Sequence, residues 1–343
     1  MTFRVGVTSD IRRSDGALAF APVANLAALE RPGLAWHFLD DDRRELTPGQ
    51  LRDLDALYHF SPAVTAASLE GVERLAILAR QGVGLDFIDV DACTERGIAV
   101  TITPQGVTRP MASAAVTLLL ALAHRLAERN RALQAGDWRE RRFTPVGLGL
   151  TGRTLGVIGF GRIGREVVRL LAPWQLRVLV ATRSDPRDAS VAWVELDELL
   201  AEADVAVVAC PLTPETYRLL DARRLRRMKP TAFLINVARG QIVDQDALVD
   251  ALRDGRLAGA GLDVFDPEPL PVDDPLLSLP NVVGAPHSLG YTDELVRGCV
   301  DAACEAILAV ARGDVPQNVV NPGVLESERF REKLRRFGGR APR

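Results

Sequence analysis

The feature that most constrains this chain is a glycine-rich turn set between a strand and a helix. Gly159-Phe160-Gly161-Arg162-Ile163-Gly164 follows the apolar run Leu155-Gly156-Val157-Ile158 and opens the helix-like Arg165-Glu166-Val167-Val168-Arg169-Leu170-Leu171. The pattern G-x-G-x-x-G is weak by itself and gains its force from that setting. Gly159 permits the tight turn, Gly161 lets the backbone approach a pyrophosphate, and Gly164 lets helix and strand pack closely. The helix N-terminus supplies free N–H groups and positive potential, and Arg162 and Ile163, within the turn, are counted with the glycines as cofactor-binding residues.

Around this turn, short β-branched runs alternate with helical stretches, which predicts α/β architecture with parallel sheets. A first set of strands is expected at 4–9, 34–39, 56–60, 75–79 and 98–102, and a second at 155–160, 177–181, 205–209, 232–237, 257–264 and 281–285. Six strands in the second set suit a complete doubly wound dinucleotide domain. Between the sets, Pro104-Gln105-Gly106 reads as a break or hinge, followed by one long apolar helix from about Arg109 to Gln134. At 343 residues the chain has room for about two domains. With 47% hydrophobic residues and a net charge of −3, it offers no global field to attract nucleic acid or an anionic membrane, and a small-molecule partner is expected.

Cys93, Cys210, Cys299 and Cys304 form no C-x-x-C pair and no cluster with the four histidines, so reduced thiols, a cytoplasmic setting and no metal are expected. The N-terminus lacks the pattern of a secretory signal, and the apolar run Met111 to Ala123 is too short to span a bilayer. His37, His59 and His124 lie within strand or helix patterns and read as structural. Lys229 and Lys333 are the only lysines; Lys229 sits in a turn-like, solvated setting. The segment Glu326 to Arg343 carries 7 basic residues against 3 acidic ones and reads as a solvated or frayed end.

An NAD site places Asp or Glu at the end of the second strand of the dinucleotide domain, to bind the ribose hydroxyls. Here the strand Arg177 to Ala181 ends in Thr182-Arg183-Ser184. A guanidinium pairs with a 2′-phosphate that a carboxylate would repel. NADP(H) is therefore the preferred cofactor and NAD(H) a possible one, with Asp185, beyond the strand end, as the candidate for the latter.

Three further segments carry a family resemblance. Asn236-Val237-Ala238-Arg239-Gly240, Gly261-Leu262-Asp263-Val264-Phe265-Asp266-Pro267-Glu268-Pro269 and Ala285-Pro286-His287-Ser288-Leu289-Gly290, with the glycine turn, resemble the D-isomer-specific 2-hydroxyacid dehydrogenases in order and spacing. Gly82-Val83-Gly84-Leu85-Asp86, Arg96-Gly97-Ile98 and Cys210-Pro211-Leu212-Thr213-Pro214-Glu215-Thr216 extend the likeness over nearly the whole chain. The resemblance implies a catalytic set of Arg239, Glu268 and His287. The chemistry accounts for the residue types: a planar guanidinium holds a carboxylate while polarising the adjacent ketone, and His is the acid available near neutral pH. Glu268 would favour the imidazolium and orient its ring.

The resemblance also implies that the amides of Val83 and Gly84 take the substrate carboxylate, with Ser61 in a neighbouring substrate loop. Asp263 would meet the nicotinamide carboxamide. Cys210, Pro211, Val237 and Ala238 would line the ring, with Thr216 nearby and Gly290 at a close approach. Two Rossmann or flavodoxin-like units follow: a substrate-binding unit, 1–106 plus 293–343, and an inserted dinucleotide-binding unit, 107–292, closing over a cleft. A homodimer through the long helix is also implied.

Departures narrow the reading. Met111-Ala112-Ser113 replaces the Val-Ala-Glu or Val-Ala-Asp common in the family, and His59-Phe60-Ser61-Pro62 lacks the arginine that would grip a phosphorylated substrate. With Arg343 as its last residue, the sequence leaves no room for the regulatory module of many phosphoglycerate dehydrogenases. Reduction of a small 2-keto acid to the D-2-hydroxy acid, as by glyoxylate or hydroxypyruvate reductases, is the expectation. Phosphoglycerate, formate or phosphite oxidation and a corepressor-like, dinucleotide-responsive scaffold are the alternatives.

Overall fold

Hydrophobic runs four or five residues long, buried on both faces, become the inner strands of two parallel sheets, as expected where helices cover each side. The computed structural model describes residues 2–40, 44–138 and 146–338. They divide into one unit of Met1–Val107 with Tyr291–Arg343 and a second of Thr108–Gly290. The boundaries fall one residue after the expected first junction and two before the second.

In the first unit β1 (Phe3–Val7), β2 (Leu34–Phe38), β3 (Ala56–His59), β4 (Ile77–Arg80) and β5 (Ala99–Thr101) lie in the order β2-β1-β3-β4-β5, a flavodoxin-like winding. Asp55, fully buried at the start of β3, accepts the Arg4 amide at 2.9 Å and the Arg74 guanidinium at 2.7 and 2.8 Å. The helix Asp293–Ala311 belongs to this unit, and the segment after it closes the open edge of β5. Val319 bridges Thr101, the Val320 amide donates to Val100 O at 2.9 Å, and Asn321 Oδ1 accepts the Val100 amide at 2.9 Å.

The basic end is not frayed over its described part. Residues Glu328–Gly338 form a helix whose Phe330, Leu334 and Phe337 are buried. From the same face Lys333 Nζ donates to the carbonyls of Leu75 and Arg96 at 2.7 Å and of Gly97 at 3.2 Å. Burial lowers the pKa of Lys333 to about 8. The spacing 330, 333, 334, 337 is that of one helix face; the excess of charge concealed it. The remainder of the expected tail, 339–343, lies outside the described residues.

The second unit has seven parallel strands, β6 (Thr154–Ile158), β7 (Arg177–Ala181), β8 (Ala192–Trp193), β9 (Val205–Val208), β10 (Phe233–Asn236), β11 (Gly259–Leu262) and β12 (Val282–Gly284), ordered β12-β11-β10-β9-β6-β7-β8. The two-residue edge strand β8 was not expected; it is too short for a periodic signal. At the amino end of the sheet, buried Asp204 accepts the Thr154 amide at 2.9 Å and Lys229 Nζ at 3.1 Å, so Lys229 serves a structural ion pair.

The single long helix is two helices, Pro104–Ala123 and Leu126–Gln134, interrupted where Arg125 takes a left-handed φ of 55°. The expected break at Pro104 is instead a helix start, because a proline in the first turn gives up an N–H that has no partner there anyway. Pro104–Ala123 is long and apolar enough to cross a membrane by composition. Its Ala112, Ala115, Leu118, Leu119 and Leu122 are instead packed in the core of the second unit.

Candidate active site

The glycine turn leaves β6 where the winding reverses, between β6 and its neighbour β9. Gly159 has φ +91°, and a Cβ there would lie 2.6 Å from the backbone of Cys210, just past β9. A Cβ on Gly164 would fall 2.4 Å from Gly159 O, so the helix Arg162–Leu171 seats directly on the turn. A Cβ on Gly161, by contrast, meets nothing within 4 Å, and as the residue before the helix Gly161 carries no side chain to cover the first-turn amides. This cradle fits a pyrophosphate, with the exposed Arg162 and half-buried Ile163 in its rim.

After β7, Thr182 is half-buried while Arg183 and Ser184 are exposed, and Thr182 O accepts the Trp193 indole at 3.1 Å. Asp185 does not stand at the strand end. Its Oδ1 accepts the Arg187 amide at 2.8 Å in a local turn. Glu215 is held below the ordinary carboxyl range chiefly by the Thr213 hydroxyl, with a smaller part from the Arg183 charge. Thr216 Oγ1 donates to Pro211 O and accepts the Thr213 amide, both at 2.7 Å, which fixes the Cys210-to-Thr216 loop. The half-buried Cys210 thiol is pushed up to about 11 by burial and stays neutral.

Arg239, Glu268 and His287 all come from segments leaving the carboxyl ends of β10, β11 and β12. Asn236, buried at the end of β10, shapes the first: its Nδ2 donates to Arg239 O at 2.9 Å and its Oδ1 accepts the Ala238 amide at 3.0 Å. Val237 is buried and Ala238 half-buried in that loop. A Cβ on Gly240 would sit 1.9 Å from Phe265 O, so only glycine lets the arginine loop pass so close to the segment that bears Glu268.

Glu268 Oε1 accepts the Phe265 amide at 3.0 Å and Oε2 meets His287 Nδ1 at 2.8 Å. Burial opposes ionisation of Glu268, but the His287 hydrogen bond, the Phe265 amide and the charges of His287 and Arg239 outweigh it, so the carboxyl lies below its usual range. With Nδ1 engaged, Nε2 of His287 is the nitrogen left to hold or release a proton. The His287 side chain is 45% exposed, so that nitrogen is reachable. His287 itself has φ +52°, and Asp263 Oδ1 secures the turn by accepting the amides of Ser288 at 2.9 Å and Leu289 at 3.0 Å. Burial raises the Asp263 carboxyl above its usual value despite those two amides. Gly290, buried, ends the unit.

In the first unit the loop after β4 turns at Gly82, φ +128°, and the amides of Val83 and Gly84 find no acceptor among the described residues. Ser61 is committed elsewhere: its amide donates to Asp10 Oδ2 at 2.9 Å and its hydroxyl bonds the same oxygen. The expected residues thus fall into clusters, with Glu268 and His287 in direct contact, Arg239 within Coulomb range of Glu268, and Cys210 against Gly159. Asn236, Arg80 and the anchoring role of Asp263 are not evident from sequence. Asn236 stands in the quoted motif, but its hydrogen bonds appear only once the loop is folded. Among the described residues no group of three or more His, Cys, Asp or Glu is placed to hold a metal.

A pyrophosphate cradle at the switch point, in the same sheet as a histidine held by a carboxylate, is what nicotinamide-dependent oxidoreduction requires. The family model of the D-isomer specific 2-hydroxyacid dehydrogenase NAD binding domain matches residues 116–288. A glyoxylate reductase of Korarchaeum cryptofilum is 41% identical over 284 residues, covering 81% of this chain and 86% of that one. The crystal structure of an NADPH-dependent glyoxylate/hydroxypyruvate reductase from Sinorhizobium meliloti, in complex with NADP and malonate, aligns with a TM-score of 0.77 at 30% identity, covering 90% of this chain and 93% of that one. An NAD-dependent formate dehydrogenase from Staphylococcus aureus, in complex with NAD, aligns with a TM-score of 0.76 at 28% identity, covering 90% and 95%. The chain belongs to the D-isomer-specific 2-hydroxyacid dehydrogenase family. It is an NAD(P)-dependent oxidoreductase that acts on the CH–OH group, reducing small 2-keto acids with a nicotinamide dinucleotide.

Proposed function

We propose that the chain reduces a keto acid of the glyoxylate or hydroxypyruvate class to its D-2-hydroxy acid, with NADPH preferred over NADH. The observation that carries the cofactor half is the end of β7, where Arg183 stands exposed and Asp185, the first carboxylate after it in the chain, accepts the Arg187 amide in a local turn. The substrate half is supported by the reductases it resembles and by the absence of an arginine in the segment His59 to Pro62.

The bound dinucleotide supplies the hydride. The Arg239 guanidinium holds the substrate carboxylate and polarises the ketone, and the Val83 and Gly84 amides of the first unit are donors for a carboxylate. His287 Nε2 gives its proton to the carbonyl oxygen as negative charge develops, while Glu268 fixes the ring through Nδ1. Asp263 would meet the carboxamide, and Cys210, Pro211, Val237 and Ala238, with Thr216 and Gly290 nearby, would line the nicotinamide ring. Arg183, Ser184 and Thr182 would receive the 2′-phosphate.

The enzyme works in the cytoplasm as a homodimer; exposed Leu126, Leu133 and Trp138 around the helix Leu126–Gln134 supply apolar surface for such a contact. A panel of 2-keto acids assayed with both cofactors tests the reading. The highest kcat/KM is expected for glyoxylate or hydroxypyruvate with NADPH. Higher efficiency with NADH, or a bulky keto acid outperforming both small ones, contradicts it. Sedimentation at micromolar concentration should give twice the chain mass.

A further inference from the structure

We propose that Arg80, at the end of β4, is a positioning residue for recognition of the substrate carboxylate: its guanidinium pins the peptide planes that flank those presenting the Val83 and Gly84 amides, while Thr103 holds the Gly82–Val83 plane itself. The inference rests on the reading that those two amides take the carboxylate. A planar trans peptide carries its N–H opposite its C=O, so holding a carbonyl aims the amide on the same unit. The carbonyl of Gly82 accepts the Thr103 amide at 2.9 Å, which turns the Val83 N–H away from Thr103.

On either side the planes are pinned by Arg80. It donates from a terminal nitrogen to Gln81 O at 2.7 Å and from Nε to Gly84 O at 3.1 Å. The Gly82 amide donates to Thr103 Oγ1 at 2.8 Å. The Val83–Gly84 peptide thus lies between held neighbours, and its N–H has no acceptor among the described residues. The same guanidinium bonds Phe60 O and lies 5.7 Å from the centre of the Phe60 ring, which ties the loop of Phe60 and Ser61 to the loop of Val83 and Gly84. A Cβ on Gly82 would touch this guanidinium at 3.4 Å, an ordinary van der Waals distance. The charge below the loop also favours an anion above it. Lysine has no planar fork to span three carbonyls on two separate loops.

The test uses the full-length enzyme with saturating NADPH, comparing a keto acid with its methyl ester, which lacks the anion. Arg80→Met is expected to lower kcat/KM for the acid about 10- to 100-fold, chiefly through KM, the effect of loosening one or two charge-assisted hydrogen bonds. The ester should lose no more than about 3-fold, the KM for NADPH should hold, and Arg80→Lys should recover part of the loss. Equal losses on acid and ester, or on keto acid and cofactor, would overturn the proposal. Val83→Pro, which deletes one of the amides, separates the two claims. If Val83→Pro changes the acid-to-ester ratio and Arg80→Met does not, the positioning role fails while the amide reading stands. If Val83→Pro leaves that ratio unchanged, the amide reading fails and this inference with it.

Discussion

Replacing Asp263 by alanine measures how firmly the histidine turn is held. One buried oxygen anchors two successive amides directly after a residue with φ +52°, a region that non-glycine residues occupy only when the surroundings hold them there. Hydrogen bonds to a charged acceptor contribute about 1.5–3 kcal/mol each. Ser288 is exposed and can turn to water, and removing the buried carboxylate relieves its desolvation, so a net loss of about 2 kcal/mol is expected. For a unit of 150–250 residues that corresponds to a fall in Tm of about 4–8 °C. The larger effect falls on catalysis, because freeing the turn misplaces His287, and displacement of about 1 Å can cost 10²-fold. Asp263→Asn keeps an acceptor oxygen without burying a charge and should hold Tm within about 3 °C. Burial raises the folded-state pKa of Asp263, so its contribution is greatest below the unfolded value near 3.8 and is lost as pH rises through the folded value. The asparagine variant should therefore gain relative to wild type as pH rises through that window. Scanning fluorimetry and steady-state kinetics read all of this. An alanine variant with unchanged Tm and kcat within 2-fold would refute the anchoring argument.

Removing His287 with alanine should lower kcat about 10²- to 10⁴-fold while NADPH still binds, as checked by fluorescence titration. Arg239→Ala should lose most of kcat/KM in the keto-acid assay, and near-normal turnover by either variant would remove that residue from the mechanism. Arg183→Ala should raise KM for NADPH about 10-fold, the lower end for an exposed charge-assisted bond, and leave KM for NADH within about 2-fold; equal weakening of both cofactors contradicts the NADPH preference. Lys333→Met should unfold at lower denaturant concentration by about 2–4 kcal/mol, because three carbonyls lose their donor. Burial lowers Lys333 from 10.5 to about 8, so wild-type stability should rise across that interval of pH and the methionine variant should lack the rise.

The strands and the glycine turn were legible because their signals are local: Arg177 to Ala181 is a strand over those very residues, and Leu155-Gly156-Val157-Ile158 lies wholly within one. Local reading failed where the deciding partner is distant in sequence. The tail from Glu326 reads as solvated charge until Phe337 meets Phe3 edge-on and Phe330 is buried beside Gly97. The long helix reads as continuous because His124 and Arg125 give no Gly or Pro signal at its break. Within the site, the motifs marked Arg239, Glu268 and His287, whereas Arg80 and Asn236 act on backbone atoms whose positions only the folded loops define. Ser61 illustrates the converse, since a hydroxyl beside a substrate loop reads as a ligand group until Asp10, 51 residues away in the chain, claims it.

The threading of the chain has a consequence for its synthesis. Residue 107 leaves the first unit and residue 291 returns to it; at about 5–20 residues per second a ribosome needs roughly 10–40 s to cover the interval. Through that time β5 shows an unpaired edge to which Val319 and Val320 have not yet come, and the carbonyls that Lys333 will take face water. An open parallel edge invites pairing with another chain, and a three-residue edge strand keeps the template short. The inserted unit emerges whole and can complete its own sheet first, so the amino-terminal segment is made first and finished last, and nascent chains stalled before residue 291 are the species most in need of a chaperone.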